Sequence, residues 1–450
     1  MNDPLPIEPV ARPVDAAIRV PGSKSLSNRH LVLAALAKAP TELRGLLACD
    51  DCDRLLRALG ALGFAATDRA GGSAGAIEVA RRGPARSGTL DLGDGGTPTR
   101  FMMALAAAQP DGEWTIDGSA RMRERPVAEG VEMLRALGAR AEYAEAEGRL
   151  PVRVRGGGLA GGRLAVGRTA SSQFVSALML VAPSLPRGLE IEFTEEPTSA
   201  SYLHLSLAAL AAARVEAVVE YGPVPLGGAP GGGLRRISIA PQPIEGGIVE
   251  IEPDASSAVY PAAAAVLTGG RVELLGTPRR SVQPDSWFLE DLALRGARVD
   301  ASSDGHSTVV AAGCALRGLD ADYSRAPDAA VMAMVLAACG DRPSRFTGLS
   351  TLRVKESDRI ASVAAGLRAL GGTVETGDDW ARVHPLPARA ASAAIDTAND
   401  HRIAMAFAVL GLSRPGVSIK NPGCVAKSWP GFWEALERLA REPRLEVRET

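Results

Sequence analysis

An apolar helical segment that opens with a polar, cap-like cluster recurs six times along this chain of 450 residues. The six segments begin at Ser23, Gly96, Ser171, Asp254, Pro327 and Asn399. Successive starts lie roughly 70 to 85 residues apart, and such a regular period indicates duplication of one structural unit. A chance series of Ala–Leu helices in an alanine-rich chain is the alternative, and six copies in the same order argue against it.

Each repeat continues with the same succession of patterns. A short strand-like run follows the apolar segment, then comes an amphipathic helix, and in most repeats glycine leads into a pair of strands. Each unit is therefore predicted to be β-α-β-α-β-β. The first helix is apolar almost all round and is expected to be buried, whereas the second has a polar face and is expected to cover a sheet.

The sixth repeat is one strand short, because only LEVRE (445–449) follows its last helix. We expect residues 7–10 to supply the missing strand, ahead of the opening strand of the first repeat at Ala17–Val20. The N-terminal strands are then predicted to pack with repeats four to six.

A chain of this length exceeds one ordinary hydrophobic core, so two domains of three repeats are expected. The predicted boundaries place residues 23–242 in the domain of repeats one to three. Residues 1–22 and 243–450 form the domain of repeats four to six. Two adjacent strands that cross between the domains are expected to form a hinge.

Composition excludes several classes of function. The net charge of −2 argues against a nucleic-acid-binding protein, which needs a basic excess. No apolar run approaches the ~20 residues of a membrane span, and Met1–Val14 has no apolar signal segment. Five scattered cysteines favour a reducing compartment. We expect a cytoplasmic monomer without membrane or nucleic-acid partners.

The polar starts of the six buried helices suit anions, because free N–H groups and the positive end of the helix dipole bind phosphates and carboxylates. Capping alone explains any single copy. Basic side chains collect in the same loops, at Lys24, Arg29, Arg100, Arg121, Arg123, Arg125, Arg353, Lys355, Arg359, Arg402 and Lys427. If the domains face each other through these helix ends, the loops form one cationic cleft for two anionic ligands.

Other motifs do not indicate a nucleotide, cofactor or metal site. LGDGGTPTR (92–100) lacks the Gly-Lys-Ser/Thr of a P-loop, and no G-x-G-x-x-G lies between a strand and a helix. No His, Cys and carboxylate cluster has metal spacing, so neither a metal nor a nicotinamide cofactor is indicated. Cys49 and Cys52 form a CxxC without a second pair, which is best interpreted as two thiols at a helix edge.

Nine motifs together carry a family resemblance. They are PGSKSLSNR (21–29), GTPTR (96–100), RMRERP (121–126), SSQF (171–174), DASSA (254–258), PDAA (327–330), RVKESDR (353–359), NDHR (399–402) and CVAKSWP (424–430). In this order and spacing the chain resembles the 5-enolpyruvylshikimate-3-phosphate synthase family. The resemblance implies a two-domain inside-out α/β barrel of six βαβαββ repeats. It also implies a transferase of the shikimate pathway and chorismate biosynthesis, without cofactor.

The implied reaction transfers the enolpyruvyl group of phosphoenolpyruvate to the 5-hydroxyl of shikimate 3-phosphate and releases phosphate. The resemblance implies shikimate-3-phosphate binding by Lys24, Ser25, Arg29, Ser171, Ser172, Gln173, Ser199, Tyr202, Asp328, Thr351 and Lys355. It implies phosphoenolpyruvate binding by Lys24, Gly96, Arg125, Gln173, Arg359, Arg402 and Lys427. The implied catalytic residues are Asp328, Glu356, Lys24 and His401.

Several residues have plainer interpretations. Asp328 could cap its helix, and Glu356 could pair with Arg359 one turn later. His401 could be a catalytic helper, or it could orient Arg402.

Two positions depart from the family pattern: Asp94 stands where Asn is common, and Thr351 stands where many members have Asn. The sister family that acts on UDP-N-acetylglucosamine usually carries a reactive cysteine where this chain has Ala120. A catalytically silent anion-binding protein of the same fold is the rival from another class.

Overall fold

A computed structural model describes residues 2–68, 76–84, 87–222, 233–303, 305–389 and 391–441. The chain divides into two compact units. The first, here the terminal unit, contains Met1–Pro21 and Pro253–Thr450, and the second, the central unit, contains Gly22–Glu252. Each unit holds three of the predicted repeats.

Thirteen α-helices lie in the described residues. They are α1 Lys24–Leu36, α2 Asp50–Ala61, α3 Gly96–Ala107, α4 Ala120–Glu124, α5 Ala128–Ala136, α6 Gln173–Val181, α7 Ala200–Ala212, α8 Ala255–Thr268, α9 Trp287–Leu294, α10 Ala330–Ala337, α11 Arg359–Ala369, α12 His401–Gly411 and α13 Phe432–Arg441. Short 3-10 helices occupy Ala182–Ser184, Pro284–Ser286, Ser350–Val354 and Pro422–Lys427. None of the described helices is long and apolar enough to cross a membrane.

The strands of the described residues are short and number twenty-three. They are β1 Leu5–Pro6, β2 Asp15–Ile18, β3 Thr41–Arg44, β4 Phe64–Asp68, β5 Ile77–Arg81, β6 Gly88–Asp91, β7 Glu113–Asp117, β8 Arg140–Tyr143, β9 Val152–Arg155, β10 Gly162–Val166, β11 Leu189–Phe193, β12 Val218–Tyr221, β13 Leu234–Ile239, β14 Gly247–Glu250, β15 Arg271–Leu274, β16 Arg298–Ala301, β17 Thr308–Ala311, β18 Ala321–Asp322, β19 Ser344–Thr347, β20 Val374–Thr376, β21 Ala381–Val383, β22 Ala393–Ile395 and β23 Val417–Ile419.

The described strands form six small sheets of one design. In the central unit the orders are β14-β3-β5-β4, β6-β7-β9-β8 and β10-β11-β13-β12. In the terminal unit they are β2-β15-β17-β16, β18-β19-β21-β20 and β22-β23-β1. The first two strands of each sheet are parallel and the later pairings are antiparallel. This repetition matches the predicted β-α-β-α-β-β unit.

The N-terminal segment packs in the terminal unit, as the sequence predicts. The strand β1 lies two residues before the predicted 7–10, and it pairs antiparallel with β23. Hydrogen bonds from the Ile7 and Val10 N–H groups to the Val417 and Leu412 carbonyls continue the contact. The predicted last strand at 445–449 lies outside the described residues.

The predicted packing of the N-terminal strands with repeats four to six also holds for β2, whereas the boundary after repeat three differs from the predicted one. The strand that precedes α1, β2, pairs with β15 of the fourth repeat, while β14, which precedes α8, pairs with β3 of the first repeat. The first and fourth repeats therefore exchange their opening strands. Because β14 hydrogen-bonds in the central unit, that unit extends to Glu252 rather than to the predicted residue 242.

The first helix of each repeat is buried inside its unit. All 11 residues of α12 and all 8 of α10 are buried, because α10 is apolar on every side and α12 is so after His401 and Arg402. The strands around them alternate buried and exposed residues, for example at Val152–Arg155. Helices thus form the interior and six separate sheets the exterior, with no closed barrel among the described strands.

Gly366 and Gly60 offer a matched test of this packing. A Cβ on Gly366 of α11 would lie 2.4 Å from Cζ of the fully buried Phe407 in α12, whereas a Cβ on Gly60 of α2 meets nothing within 4 Å. We expect Gly366→Ala to destabilise the protein by about 1–3 kcal/mol through overpacking. Gly60→Ala should stabilise it by about 0.5–1 kcal/mol, because alanine loses less backbone entropy. Thermal unfolding checks both, and equal melting temperatures would contradict the packing.

Candidate active site

In the central unit, Lys24 lies in the first turn of α1, and Asp51 of α2 holds its side chain. The Ser23 hydroxyl caps α1 by accepting the Leu26 N–H at 3.3 Å. Lys24 Nζ lies 3.2 Å from Oδ2 of Asp51, a carboxylate that is buried in the first turn of α2. The ammonium of Lys24 is thus fixed at the start of a buried helix.

Gly96 and Arg125 meet beside this pair. A Cβ on Gly96 would lie 2.6 Å from Arg125 Nη1, and one on the preceding Gly95 would lie 3.3 Å from Asp51 Oδ1. The absence of a side chain at Gly96 therefore leaves room for the guanidinium at the N-terminus of α3, where N–H groups suit an anion.

Arg125 has unmet hydrogen-bonding capacity. The residue is only 9% exposed, and its Nη1 contacts the sulfur of Met122 at 3.8 Å. Among the described residues, its Nε has no hydrogen-bond partner, and no carboxylate lies within ion-pair distance of it. A buried cation without a counter-ion is costly, so this guanidinium is arranged to receive an anion.

Two neighbouring arginines are used within the protein. Arg29 donates to the Ser206 hydroxyl at 2.9 Å and to the Ser25 carbonyl at 2.9 Å, and it also reaches the Tyr202 carbonyl at 3.1 Å. It thereby joins α1 to α7, and burial lowers its pKa to about 10. Arg100 donates to the Gly96 carbonyl at 3.0 Å, so it fixes the start of α3.

The predicted hydroxyl and amide ligands lie at the starts of α6 and α7. Gln173 donates to the Thr97 hydroxyl at 2.9 Å, which joins α6 to α3, and its buried Oε1 accepts no hydrogen bond from the described residues. Ser172 is the N-cap residue of α6, and Ser199, at φ 50°, is that of α7. Neither Ser172 nor Ser199 caps its helix through its side chain. Ser171, Ser25 and Tyr202 are half-buried nearby in the same unit.

The unusual Asp94 contacts the residue that caps α4. Its carboxylate accepts a hydrogen bond from the hydroxyl of Ser119, and Ser119 in turn caps α4 by accepting the Met122 N–H at 3.1 Å. The extra negative charge at this position therefore helps to hold the helix that precedes Arg125.

In the terminal unit, one buried guanidinium binds three carboxylates. Arg359, at the start of α11, donates from Nη1 to Asp328 at 2.7 Å and from Nη2 to Glu356 at 2.8 Å. Its Nε donates to Asp400 at 2.8 Å. The three carboxylates raise the pKa of Arg359 above its usual range despite burial. Asp400 also accepts the Arg402 N–H at 2.9 Å and so caps α12.

Asp328 is surrounded by positive charge. Besides Arg359, its carboxylate contacts Arg402 Nη2 at 3.0 Å and Lys355 Nζ at 3.4 Å. Burial alone would raise the pKa of Asp328. The charges of Arg402, Lys355 and Arg359 outweigh burial and hold that pKa well below its usual range, so Asp328 is ionised at neutral pH.

Glu356 completes the network with Lys427, whose Nζ lies 3.1 Å from Glu356 Oε1. Lys427 ends the 3-10 helix Pro422–Lys427, and its side chain is mostly buried. Lys355, Glu356, Arg359, Arg402 and Lys427 therefore all converge around Asp328.

His401 and Thr351 are placed differently. The ring of His401 is fully buried at the start of α12, with Nδ1 3.8 Å from Asp400 Oδ1. This position favours the alternative in which His401 orients its neighbours. Thr351 lies in the 3-10 helix Ser350–Val354, and its buried hydroxyl has no hydrogen-bond partner among the described residues.

Comparison with known proteins identifies this arrangement. Residues 10–436 match the family model described as EPSP synthase (3-phosphoshikimate 1-carboxyvinyltransferase). The chain belongs to the EPSP synthase family. It is 36% identical over 448 residues to the 3-phosphoshikimate 1-carboxyvinyltransferase of Shewanella amazonensis, covering 98% of this chain and 99% of that one. It is 39% identical over 425 residues to that of Laribacter hongkongensis, covering 94% and 96%.

Solved structures of EPSP synthases share the fold. An EPSP synthase from Acinetobacter baumannii aligns with a TM-score of 0.77 at 26% identity, covering 97% of this chain and 98% of that one. The inside-out α/β fold predicted from the sequence is confirmed. Membership of the EPSP synthase family also confirms the predicted activity, enolpyruvyl transfer from phosphoenolpyruvate to shikimate 3-phosphate in aromatic amino acid biosynthesis.

Sequence reasoning missed two carboxylates of this EPSP synthase site. Asp51 looks like one of several acidic residues in ACDDCD, and only its burial against Lys24 distinguishes it. Asp400 lies within NDHR, where its capping position was visible, but its contact with Arg359, 41 residues away, was not. Among the described residues, no group of three or more His, Cys, Asp or Glu side chains could hold a metal ion.

The contact between Gly96 and Arg125 yields a prediction. In Gly96→Ala the new Cβ would displace the end of the Arg125 side chain rather than the backbone, so the fold should persist. We expect the KM for phosphoenolpyruvate to rise about tenfold or more, the effect of losing about 1.4 kcal/mol of a charged hydrogen bond. Gly88→Ala, whose Cβ meets nothing within 4 Å, is the control. An unchanged KM in Gly96→Ala would show that Arg125 does not bind this substrate.

Proposed function

We propose that the reaction runs by addition and elimination, with Asp328 and Glu356 as the proton-transfer pair and Lys24 as an electrostatic partner. The observation that supports this most directly is the shared guanidinium of Arg359, which holds both carboxylates within 2.8 Å of its nitrogens. Two carboxylates fixed by one rigid cation keep a constant separation, as two proton transfers on one substrate pair require.

Asp328 is assigned as the base for the 5-hydroxyl of shikimate 3-phosphate. Its depressed pKa keeps it ionised and ready to accept the hydroxyl proton. A carboxylate of low pKa is a weak base, so the transfer depends on positioning and on stabilisation of the adduct. As the oxygen of the hydroxyl attacks, a C–O bond forms at the enol carbon of phosphoenolpyruvate.

Glu356 is assigned as the acid that protonates the methylene carbon of phosphoenolpyruvate. Lys427, 3.1 Å away, is the adjacent ammonium group that stabilises the carboxylate left after this proton transfer. The result is a tetrahedral adduct that carries both phosphate and the shikimate oxygen. Glu356, now a carboxylate, then takes a proton back from the methyl group as the C–O bond to phosphate breaks, which yields the enolpyruvyl product and inorganic phosphate and restores Glu356.

The anion sites are assigned to both units. Lys24, Gly96 and Arg125 in the central unit, with Arg402 and Lys427 in the terminal unit, are proposed to bind phosphoenolpyruvate. The polar groups at the starts of α1, α6 and α7, together with Thr351, Lys355 and Asp328, are proposed to bind shikimate 3-phosphate. The open Oε1 of Gln173 and the unbonded hydroxyl of Thr351 suit hydroxyl groups of that ligand.

The proposed roles of two residues, Arg359 and His401, change. The sequence suggested direct binding of phosphoenolpyruvate, but its Nε, Nη1 and Nη2 each donate to a carboxylate. We therefore assign Arg359 to holding Asp328 and Glu356 in place. His401, buried beside Asp400, is assigned to orienting the start of α12.

Phosphate release tests these roles. Mixed with phosphoenolpyruvate and shikimate 3-phosphate, the protein should release phosphate, and UDP-N-acetylglucosamine should not replace shikimate 3-phosphate. Asp328→Asn and Glu356→Gln should each lower kcat by about 10²–10⁴, the usual contribution of general acid–base catalysis. Asp300→Asn, an exposed carboxylate on β16, is the control. Turnover by Asp328→Asn at the wild-type rate would remove Asp328 from the mechanism.

Arg125 and Arg121 allow a matched binding test. Both belong to the motif at α4, but Arg121 is exposed and pairs with Glu124, whereas Arg125 is buried without a carboxylate partner among the described residues. Arg125→Ala should raise the KM for phosphoenolpyruvate at least tenfold, because a charged hydrogen bond contributes about 1.5–3 kcal/mol. Arg121→Ala should leave it within twofold. Equal KM values for the two variants would contradict the assignment.

Three sequence-based statements remain proposals: a monomer, a cytoplasmic location, and closure of a two-strand hinge when both substrates bind. The odd, scattered cysteines support a reducing compartment. The assignment of substrate-binding residues to both units supports closure, since both sets must act on one substrate pair.

A further inference from the structure

A short segment after β15 bonds to the starts of two buried helices in the terminal unit. It comprises Gln283 and the 3-10 helix Pro284–Ser286. The Gln283 side chain accepts the Ala255 N–H at 3.1 Å and donates to the Pro253 carbonyl at 2.8 Å, so it fixes the start of α8. Both Gln283 and Asp285 are buried. Neither was a candidate from the sequence.

Asp285 reaches the residue next to the assigned base. Its Oδ1 accepts the N–H of Ala329 at 3.2 Å, and Ala329 follows Asp328 directly. Its Oδ2 accepts a hydrogen bond from the hydroxyl of Ser256, in the first turn of α8. With 2% exposure, the carboxylate is closed off from bulk solvent. One side chain therefore ties the N-cap region of α10 to the N-terminus of α8.

We propose that Asp285 is a positioning residue for Asp328: it fixes the peptide that follows Asp328 and places a second negative charge near it. The inference rests on the proposed role of Asp328 as the base. Three cations draw on the carboxylate of Asp328, and the hydrogen bond from the Ala329 N–H to Asp285 holds the backbone next to it.

The charges that face Asp285 come from several elements. Asp328 precedes α10, Arg402 lies on α12 and Asp254 caps α8, while Tyr323 contributes from the loop before α10. Burial, and next the charge of Asp328, raise the pKa of Asp285 to about 6, although Arg402 opposes this. Asp285 is therefore ionised in most molecules at pH 7 and above.

The charge of Asp285 acts on the basicity of Asp328. Like charges disfavour each other, so an ionised Asp285 raises the proton affinity of Asp328 and partly offsets the three cations. When the pH falls below about 6, Asp285 becomes protonated and this effect is lost. Asp328 then becomes a weaker base, and the turnover rate should fall.

If Asp285 served only as a structural cap, its replacement would be expected to lower the stability of the protein. The effect of its charge on stability is different. A carboxyl whose pKa is raised in the folded state makes the fold less stable as the pH rises from the unfolded value, about 4, to the folded value. The ionised Asp285 therefore reduces stability at neutral pH. Asparagine can keep both hydrogen bonds, through its carbonyl oxygen to Ala329 and its amide N–H to Ser256. Removing only the charge should thus not destabilise the protein.

Three variants test the inference: Asp285→Asn, Asp285→Ala and the control Glu290→Gln, which removes an exposed charge on α9. Phosphate release gives kcat and both KM values between pH 5 and 8.5, and thermal unfolding is measured at pH 5 and 8. We expect wild-type kcat to rise with a midpoint near pH 6, and this midpoint to be absent in Asp285→Asn. At pH 8, Asp285→Asn should lose about three- to tenfold in kcat, with KM values within twofold and a melting temperature no lower than wild type.

Asp285→Ala should lose more than tenfold in kcat, since both hydrogen bonds disappear, and Glu290→Gln should match wild type throughout. If Asp285→Asn melts below wild type at pH 8 with an unchanged kcat and pH profile, Asp285 is a structural cap and the inference is wrong. A change confined to KM would also overturn it, because it would make Asp285 a binding residue. Absence of phosphate release by wild type itself would instead refute the proposed function, a result distinct from both.

Discussion

A single buried guanidinium organises the chemistry of the terminal unit. Arginine cannot lose its charge when buried, so Arg359 requires compensation, and it obtains three carboxylates from three separate stretches of chain. Each of those carboxylates also makes a second contact, because Asp400 caps α12, Glu356 contacts Lys427, and Asp328 contacts Arg402. The geometry of all three therefore depends on one side chain. Burying so many charges costs stability, and the family activity gives a reason to keep them.

The central unit also contains buried cations, but their positive charge is compensated differently. There the buried cations differ in how far the protein satisfies them: Arg29 donates to hydroxyl and carbonyl groups, Lys24 pairs with Asp51, and Arg125 lacks a carboxylate partner in the described chain. The cation with the fewest partners in the protein, Arg125, is the one that an anionic ligand would stabilise most. Arg29 and Lys24, which have partners within the protein, hold the helices, whereas Arg125 keeps hydrogen-bonding capacity that an anion could use.

The sequence predicted those features that depend on residues close together in the chain. Buried helices need polar starts, so the six cap clusters located the six first helices to within a few residues, for example at Asp254 for α8 and Asn399 for α12. Pairings between distant segments could not be predicted in this way. Asp51 and Asp285 resemble ordinary surface acids until packing buries them, and Arg359 looked like a ligand for substrate until its three carboxylate partners were located. The packing of β2 with the later repeats was expected from the short sixth repeat, but the pairing of β14 with the first repeat was missed, because only hydrogen bonding decides which sheet β14 joins.

That exchange also sets an order for folding during synthesis. The first sheet of the central unit lacks an outer strand until residues 247–250 leave the ribosome, although its other strands are made within the first 81 residues. In the terminal unit, β1 can pair only later still, because its partner β23 ends at Ile419. The strand β2 likewise has no partner until β15, at Arg271–Leu274, is made, so both strands nearest the N-terminus remain unpaired for more than half of translation. Such late, long-range pairing is slow and leaves strand edges exposed, so nascent chains of this fold should depend on chaperones more than chains whose repeats close in order.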